Sequence, residues 1–438
     1  MKKFYLASVL ASMSAVAGLS LATAPALLAQ ATPADQISVK DPAEFNAYQN
    51  ANTQTDPKAR ASAIESFLQT YPQSTLKKTV LDSLVDAYSS FDQAKTVDAA
   101  TRLLQLDPNN LKAMYLIAFI KKQQAGQAAQ SNPAQQAQLL DDAAAMATKG
   151  LAATKPADVK DEDFKKQKAT TDPFFHSVLA YDDIYSKKDL AGAVSEFRTE
   201  LQSVPPDQTK VAPALNDTLV LGQTYTQQTP PDMINGVWFL ARAEDFAPAN
   251  FKPVIDKQAK YWYKRYHGKE DGYDAILAAA NTSIFPPPDF KIDPAPTPKD
   301  IADGVVTSTP DLTTLALGDK EYILANASKD NAEKLWALLK DQVTQVPGTV
   351  LAATASQIQV AVTEDAKADK KPDFTVNLKT PLADKDIPAV GSEETNLIGT
   401  YDSYTQNPAQ IIMRDGELQI AKKAPVHKPS AAHKKASS

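Results

Sequence analysis

The chain has 438 residues, enough for two or three domains, and its 43% hydrophobic and 22% charged content suits folded globular structure. The absence of cysteine excludes disulfides, thiolate catalysis and cysteine-based zinc sites. Fourteen Gly against 30 Pro suit helices separated by firm turns better than Gly-rich phosphate loops. The net charge of −6, with five Lys and no acid gathered in residues 421–438, leaves an acidic body that repels nucleic acid at long range.

In chain order, the first element is a leader, residues 1–31. Lys2 and Lys3 precede a long Ala/Leu/Val/Ser run with no charge before Asp35. A basic start, an apolar stretch and A-x-A sites at Ala22-Thr23-Ala24 and Ala29-Gln30-Ala31 are the parts of a secretory signal peptide. The expectation is export to the periplasm or cell envelope, with cleavage after Ala31 favoured because Pro25 would follow the first cut. An uncleaved membrane anchor is the alternative. No cysteine lies near the cut, which rules out a lipoprotein.

Residues 32–284 read as successive amphipathic helices of roughly 12–18 residues, about six pairs, interrupted by Pro and by Asn, Asp and Ser clusters. Leu221-Gly222-Gln223-Thr224-Tyr225 has the form L-G-x-x-Y, and Gly236, Leu240, Ala243 and Pro248 follow in the next helix. Ala193, Phe197, Glu200 and Pro205 repeat those offsets one unit earlier, except that Glu200 stands where a small residue is expected. Leu81, Leu84, Val85 and Tyr88, closed by Leu106-Asp107-Pro108, form an earlier hairpin. The segment resembles tetratricopeptide repeats. The resemblance implies a mainly α chain, a solenoid of stacked hairpins with Leu221, Gly222, Tyr225, Ala193, Phe197, Leu240 and Ala243 as packing positions, and a concave surface for a protein partner. Within it, Tyr261-Trp262-Tyr263-Lys264-Arg265-Tyr266 is the densest aromatic cluster. Tyr261, Trp262 and Tyr266 are therefore candidate binding residues, and core between the last hairpins is the competing reading.

Residues 285–298 are proline-rich and predict a stiff linker, and 299–346 predict short helices, the clearest over residues 331–343. Residues 347–420 turn β-rich, with short strands predicted over 349–355, 357–363, 374–378, 396–401 and 410–413 and a turn at Gln406-Asn407-Pro408. Five short strands in this span resemble an OB-fold, a small β-barrel, and that resemblance makes Tyr401 and Tyr404 candidate contact residues. The tail, 421–438, has no large apolar residue and predicts disorder, with loose attachment to anionic envelope polymers as its candidate role.

Only His176, His267, His427 and His433 are present, and no H-E-x-x-H, P-loop, dinucleotide or nucleophile-elbow motif occurs. The acidic clusters Asp161-Glu162-Asp163 and Asp182-Asp183 lack the spacing of a calcium loop. The expectation is thus a non-catalytic interaction scaffold of the envelope or periplasm, with no cofactor, no metal and no nucleic acid, and with an unknown protein or peptide partner. An OB-type ligand binder and a hydrolase with an unrecognised carboxylate site are the alternatives.

Overall fold

A computed structural model describes residues 41–419 apart from Asp158 and Thr395. The predicted signal peptide and basic tail lie outside the described residues. The chain divides into two units, with the boundary between Pro294 and Ala295.

The first unit is helical. Twelve α-helices are present among its described residues, and they follow one another as six antiparallel pairs: α1 (Pro42–Thr53) with α2 (Pro57–Thr70), α3 (Lys77–Ser89) with α4 (Gln93–Leu106), α5 (Leu111–Ala128) with α6 (Pro133–Ala152), α7 (Asp161–Asp182) with α8 (Leu190–Ser203), α9 (Ala214–Gln227) with α10 (Met233–Phe246), and α11 (Lys252–His267) with α12 (Tyr273–Thr282). The polar residues that interrupt the sequence pattern are N-caps. Asp56, Asp92, Asn110, Asn132, Asp189 and Asp232 each accept the backbone N–H three residues on, at 2.9–3.1 Å. Pro57 and Pro133 take the first helical position, where no donor is needed. Each such cap contributes about 1 kcal/mol.

Each helix from α1 to α10 packs on the next, α12 packs on α10, and α5 also packs on α7. Small residues set the approach: a methyl group on Gly222 of α9 would stand 2.9 Å from the Leu240 nitrogen of α10, too close to fit without a shift. Leu221, Ala193, Phe197, Leu240 and Ala243 are fully or almost fully buried, and Tyr225 is 5% exposed and stacks on Phe239 at 5.7 Å. They share one apolar cluster with Trp238, Ile255 and Tyr263.

The proline-rich stretch is not a free spacer over its first part. Phe285 lies edge-on to Phe239 at 5.9 Å and under the Arg198 guanidinium of α8. Phe290 meets Trp238 at 4.7 Å, Ile292 is buried, and His267 hydrogen-bonds the Asp293 carbonyl at 2.7 Å. Apolar residues between the prolines reach the helical core, which composition alone could not reveal.

The second unit joins helices α13 (Pro298–Ser308), α14 (Leu317–Asn326) and α15 (Lys329–Leu339) to a seven-stranded sheet, with a short α16 (Glu364–Asp369) between strands. The strands are β1 (Val343–Gln345), β2 (Gly348–Ala353), β3 (Gln357–Ala361), β4 (Phe374–Leu378), β5 (Glu393–Glu394), β6 (Leu397–Gln406) and β7 (Ala409–Leu418), in the order β1-β6-β7-β4-β3-β2-β5. All neighbours are antiparallel except β4 and β7, where Phe374 pairs with Ile411 and Val376 with Met413. Only Val346-Pro347 separates β1 from β2, and the Val346 N–H donates to the Leu397 carbonyl at 2.8 Å. One bent stretch therefore pairs with β6 at one end and β3 at the other, which curls the sheet. Its inner face buries Val350, Ile358, Val360, Phe374, Val376, Tyr401 and Met413 against Ala302, Ile323, Leu335 and Leu339 of the three helices. Gly416 allows a close approach between β7 and β4: a methyl group there would meet Val376 at 2.4 Å.

Candidate functional site

The candidate site is the outer face of α11. Ile255, Ala259 and Tyr263 are its buried stripe, and the Tyr263 hydroxyl donates to the Asp271 carbonyl at 2.6 Å, pinning the turn into α12. On the other side Val254, Lys257, Tyr261, Lys264 and Arg265 are exposed at helical spacing, Tyr261 by 55%. Tyr261 stands edge-on to Trp262 at 5.1 Å, and the Arg265 guanidinium lies 6.0 Å from the Trp262 ring centre. Trp262 and Tyr266 are half-buried against the helical core. The result is an aromatic and cationic stripe held on a rigid helix, on an acidic protein. Tyrosine, tryptophan and arginine are the side chains that most often anchor protein interfaces.

Of the five predicted binding residues, Tyr261, Trp262 and Tyr266 share α11 in the first unit, and Tyr401 and Tyr404 belong to β6 in the second. Tyr401 is 2% exposed and its ring is core, 6.1 Å edge-on to Trp336, so its reading as a contact residue is corrected. It pairs across the ladder with buried Met413, on the face of the sheet that meets α15. Tyr404 is half-buried on Trp336 at 5.0 Å, and its hydroxyl donates to Glu333 at 3.1 Å. Burial, and then the Glu333 carboxylate, push that hydroxyl up to about 12.

A second arrangement was missed by sequence reading. Polar side chains tie the first helices of successive pairs into a row. Lys112 of α5 bridges Asp82 and Asp86 of α3 at 2.7 and 3.0 Å, and Gln223 of α9 meets Gln258 of α11 at 3.1 Å. Between them, Lys122 of α5 donates to Ser177 of α7 at 2.6 Å, and Ser177 donates to Asp217 of α9 at 2.7 Å. Glu200 of α8 is 3% exposed and faces Asp217. Burial, and then the Asp217 charge, push its carboxyl well above the usual range. The available signal was Glu200 itself, a large acid in a slot that otherwise takes a small residue.

The two acidic clusters have ordinary roles. Asp161, Glu162 and Asp163 fill the first turn of α7, where the helix dipole favours them. Asp182 and Asp183 both pair with Lys187 at 2.9 Å. A shallow groove of about 380 Å³ lies between α10 and α12, lined by Asp245, Asp274, Leu277, Ala278 and Asn281.

Compared with known proteins, the chain matches no family model, no curated protein and no solved structure.

Proposed function

We propose that this protein is an exported interaction scaffold that holds a protein or peptide partner on a tetratricopeptide-like stack of helical hairpins. The observation that carries the reading is the exposed stripe of Val254, Tyr261 and Arg265 on α11, with half-buried Trp262 beside it and Tyr263 anchoring it from below. Rigid aromatic groups with few rotamers lose little entropy on contact, and a neighbouring guanidinium adds charge recognition. The row of first helices, cross-tied from α3 to α11, gives such a stripe a fixed frame. The leader supports export, and the lysines of 421–438 support loose contact with anionic polymers of the envelope.

In the same reading the second unit is a small OB-like barrel offering a further contact. Taking β1 and β2 as one bent strand leaves a five-stranded path, with β5 as an edge addition, in the manner of a Greek-key barrel. The test is affinity capture from envelope extract by the full mature chain and by its Tyr261→Ala/Arg265→Glu variant. A protein held by the first and released by the second is expected. Equal capture by both, or none by either, sinks the proposal.

A further inference from the structure

The cluster around Glu200 does work that partner binding does not require. Four helices converge on it: Lys122 comes from α5, Ser177 and Tyr181 from α7, Glu200 from α8 and Asp217 from α9. Ser177, Glu200 and Asp217 are each no more than 3% exposed. Lys122 lies 4.2 Å from the Tyr181 ring centre and donates to the Ser177 hydroxyl, which in turn donates a hydrogen bond to Asp217. That chain gives Asp217 a hydroxyl donor backed by an ammonium. Glu200 has no such donor: its side-chain hydrogen bond is with Asp217 itself, and its Oε2 is buried without a hydrogen-bond partner.

The charge count follows. With Glu200 protonated, one ammonium faces one carboxylate and the cluster is neutral. With Glu200 ionised, two carboxylates face that ammonium in a site shut off from water, and an uncompensated buried charge is costly. Among the described residues the charged or titratable groups facing Glu200 are Lys122 from α5, Tyr181 from α7 and Asp217 from α9. On its own helix, Glu196 is engaged by His176 at 2.6 Å and Arg198 by the Tyr225 hydroxyl at 3.1 Å, so neither serves as its counter-charge.

We propose that Glu200 is a proton-operated latch: in its neutral form it closes the cluster that binds α5, α7, α8 and α9 together, and loss of its proton loosens the middle of the helical stack. Its sign is opposite to that of a salt-bridged acid. The raised carboxyl favours the folded form while protonated, so the contribution is fully present below about pH 4.5 and is lost as pH rises toward the folded-state value. Acid tightens the stack and alkali relaxes it.

Hydrogen exchange on the full chain tests this segment by segment. After correction for intrinsic rates, protection of the α8 and α9 amides is expected to fall about tenfold or more from about pH 5 to about pH 8, while α1–α4 serve as internal control. Glu200→Gln keeps the shape and removes the proton, and its α8 and α9 protection should change less than about twofold over the same range. Infrared spectroscopy supplies the direct readout, a buried protonated carboxyl band at neutral pH that Glu200→Gln lacks. A wild-type protein without the fall, a Glu200→Gln variant that keeps it, or an unchanged band overturns the latch. If Glu200→Gln does not fold, Asp217→Asn asks the same question, since it removes the like charge. A fall as large as in wild type then overturns the proposal.

Discussion

In the helical unit nearly every element finds its partner next in sequence, so α9 packs on α10 and α10 on α11. The sheet unit adds pairings across long stretches of chain, since Val343 pairs with Thr400 and Phe374 with Ile411. A stack of neighbours stores stability pairwise and can open in part, whereas a curled sheet joined through distant strands opens as one piece. The difference teaches where damage should stay local and where it should spread.

The largest effect should come from the sheet core. Tyr401→Ala removes a ring wedged between the sheet and Trp336 and should cost about 3–5 kcal/mol, lost in a single step by strand and helix signals together. A loss below about 0.5 kcal/mol, typical of surface sites, would return Tyr401 to the surface and break the comparison.

Glu321 of α14 should give the next effect. It is buried near Asp373 and Asp365, and burial first, then those charges, push its carboxyl up to about 7. Because the folded state holds the proton more tightly, the sheet unit should be most stable below about pH 4.5 and lose on the order of 1–3 kcal/mol by about pH 7. Urea titrations across that range should show the decline in wild type and a flat profile in Glu321→Gln. A wild-type midpoint that does not move would remove the effect.

Gly222→Ala tests whether the helical unit yields locally. The added methyl group meets the α10 backbone, and overpacking should cost about 1–3 kcal/mol. Exchange should rise in α9 and α10 and stay unchanged in α1–α4. Uniform loss of protection across all twelve helices would show the stack to be as cooperative as the sheet. Smallest of all, Tyr261→Ala should leave the melting curve within about 0.5 kcal/mol of wild type while weakening partner capture. A destabilised protein would mean that the exposed stripe is core.

The helices were legible because two signals coincide in them. The apolar period marks each body, and an Asp or Asn cap marks many of the starts, as at Asp56-Pro57 and Asn132-Pro133. Strands were legible where apolar and polar residues alternate in the sequence, as in Phe374–Leu378. β1 was not, because three residues carry no pattern and their pairing depends on Thr400, far along the chain. β6 and β7 were read too short because register shifts at Ile398/Thr400 and Tyr401/Ser403 break the alternation. On α11, Tyr261 could be named from composition, but which of the neighbouring rings faces water depends on how α12 and residues 285–293 cover the helix.

Those residues carry a mechanical consequence. From Arg198 of α8, across Trp238 and Phe239 of α10, to His267 at the end of α11, the proline-rich stretch crosses the last three hairpins like a brace. Helices packed on their neighbours can slide past one another, and a segment that ties three of their pairs together through ring contacts and a hydrogen bond resists that sliding. Compliance must then concentrate in the first three hairpins, so the molecule pulled from its ends should yield at α1–α6 while the stripe on α11 keeps its shape.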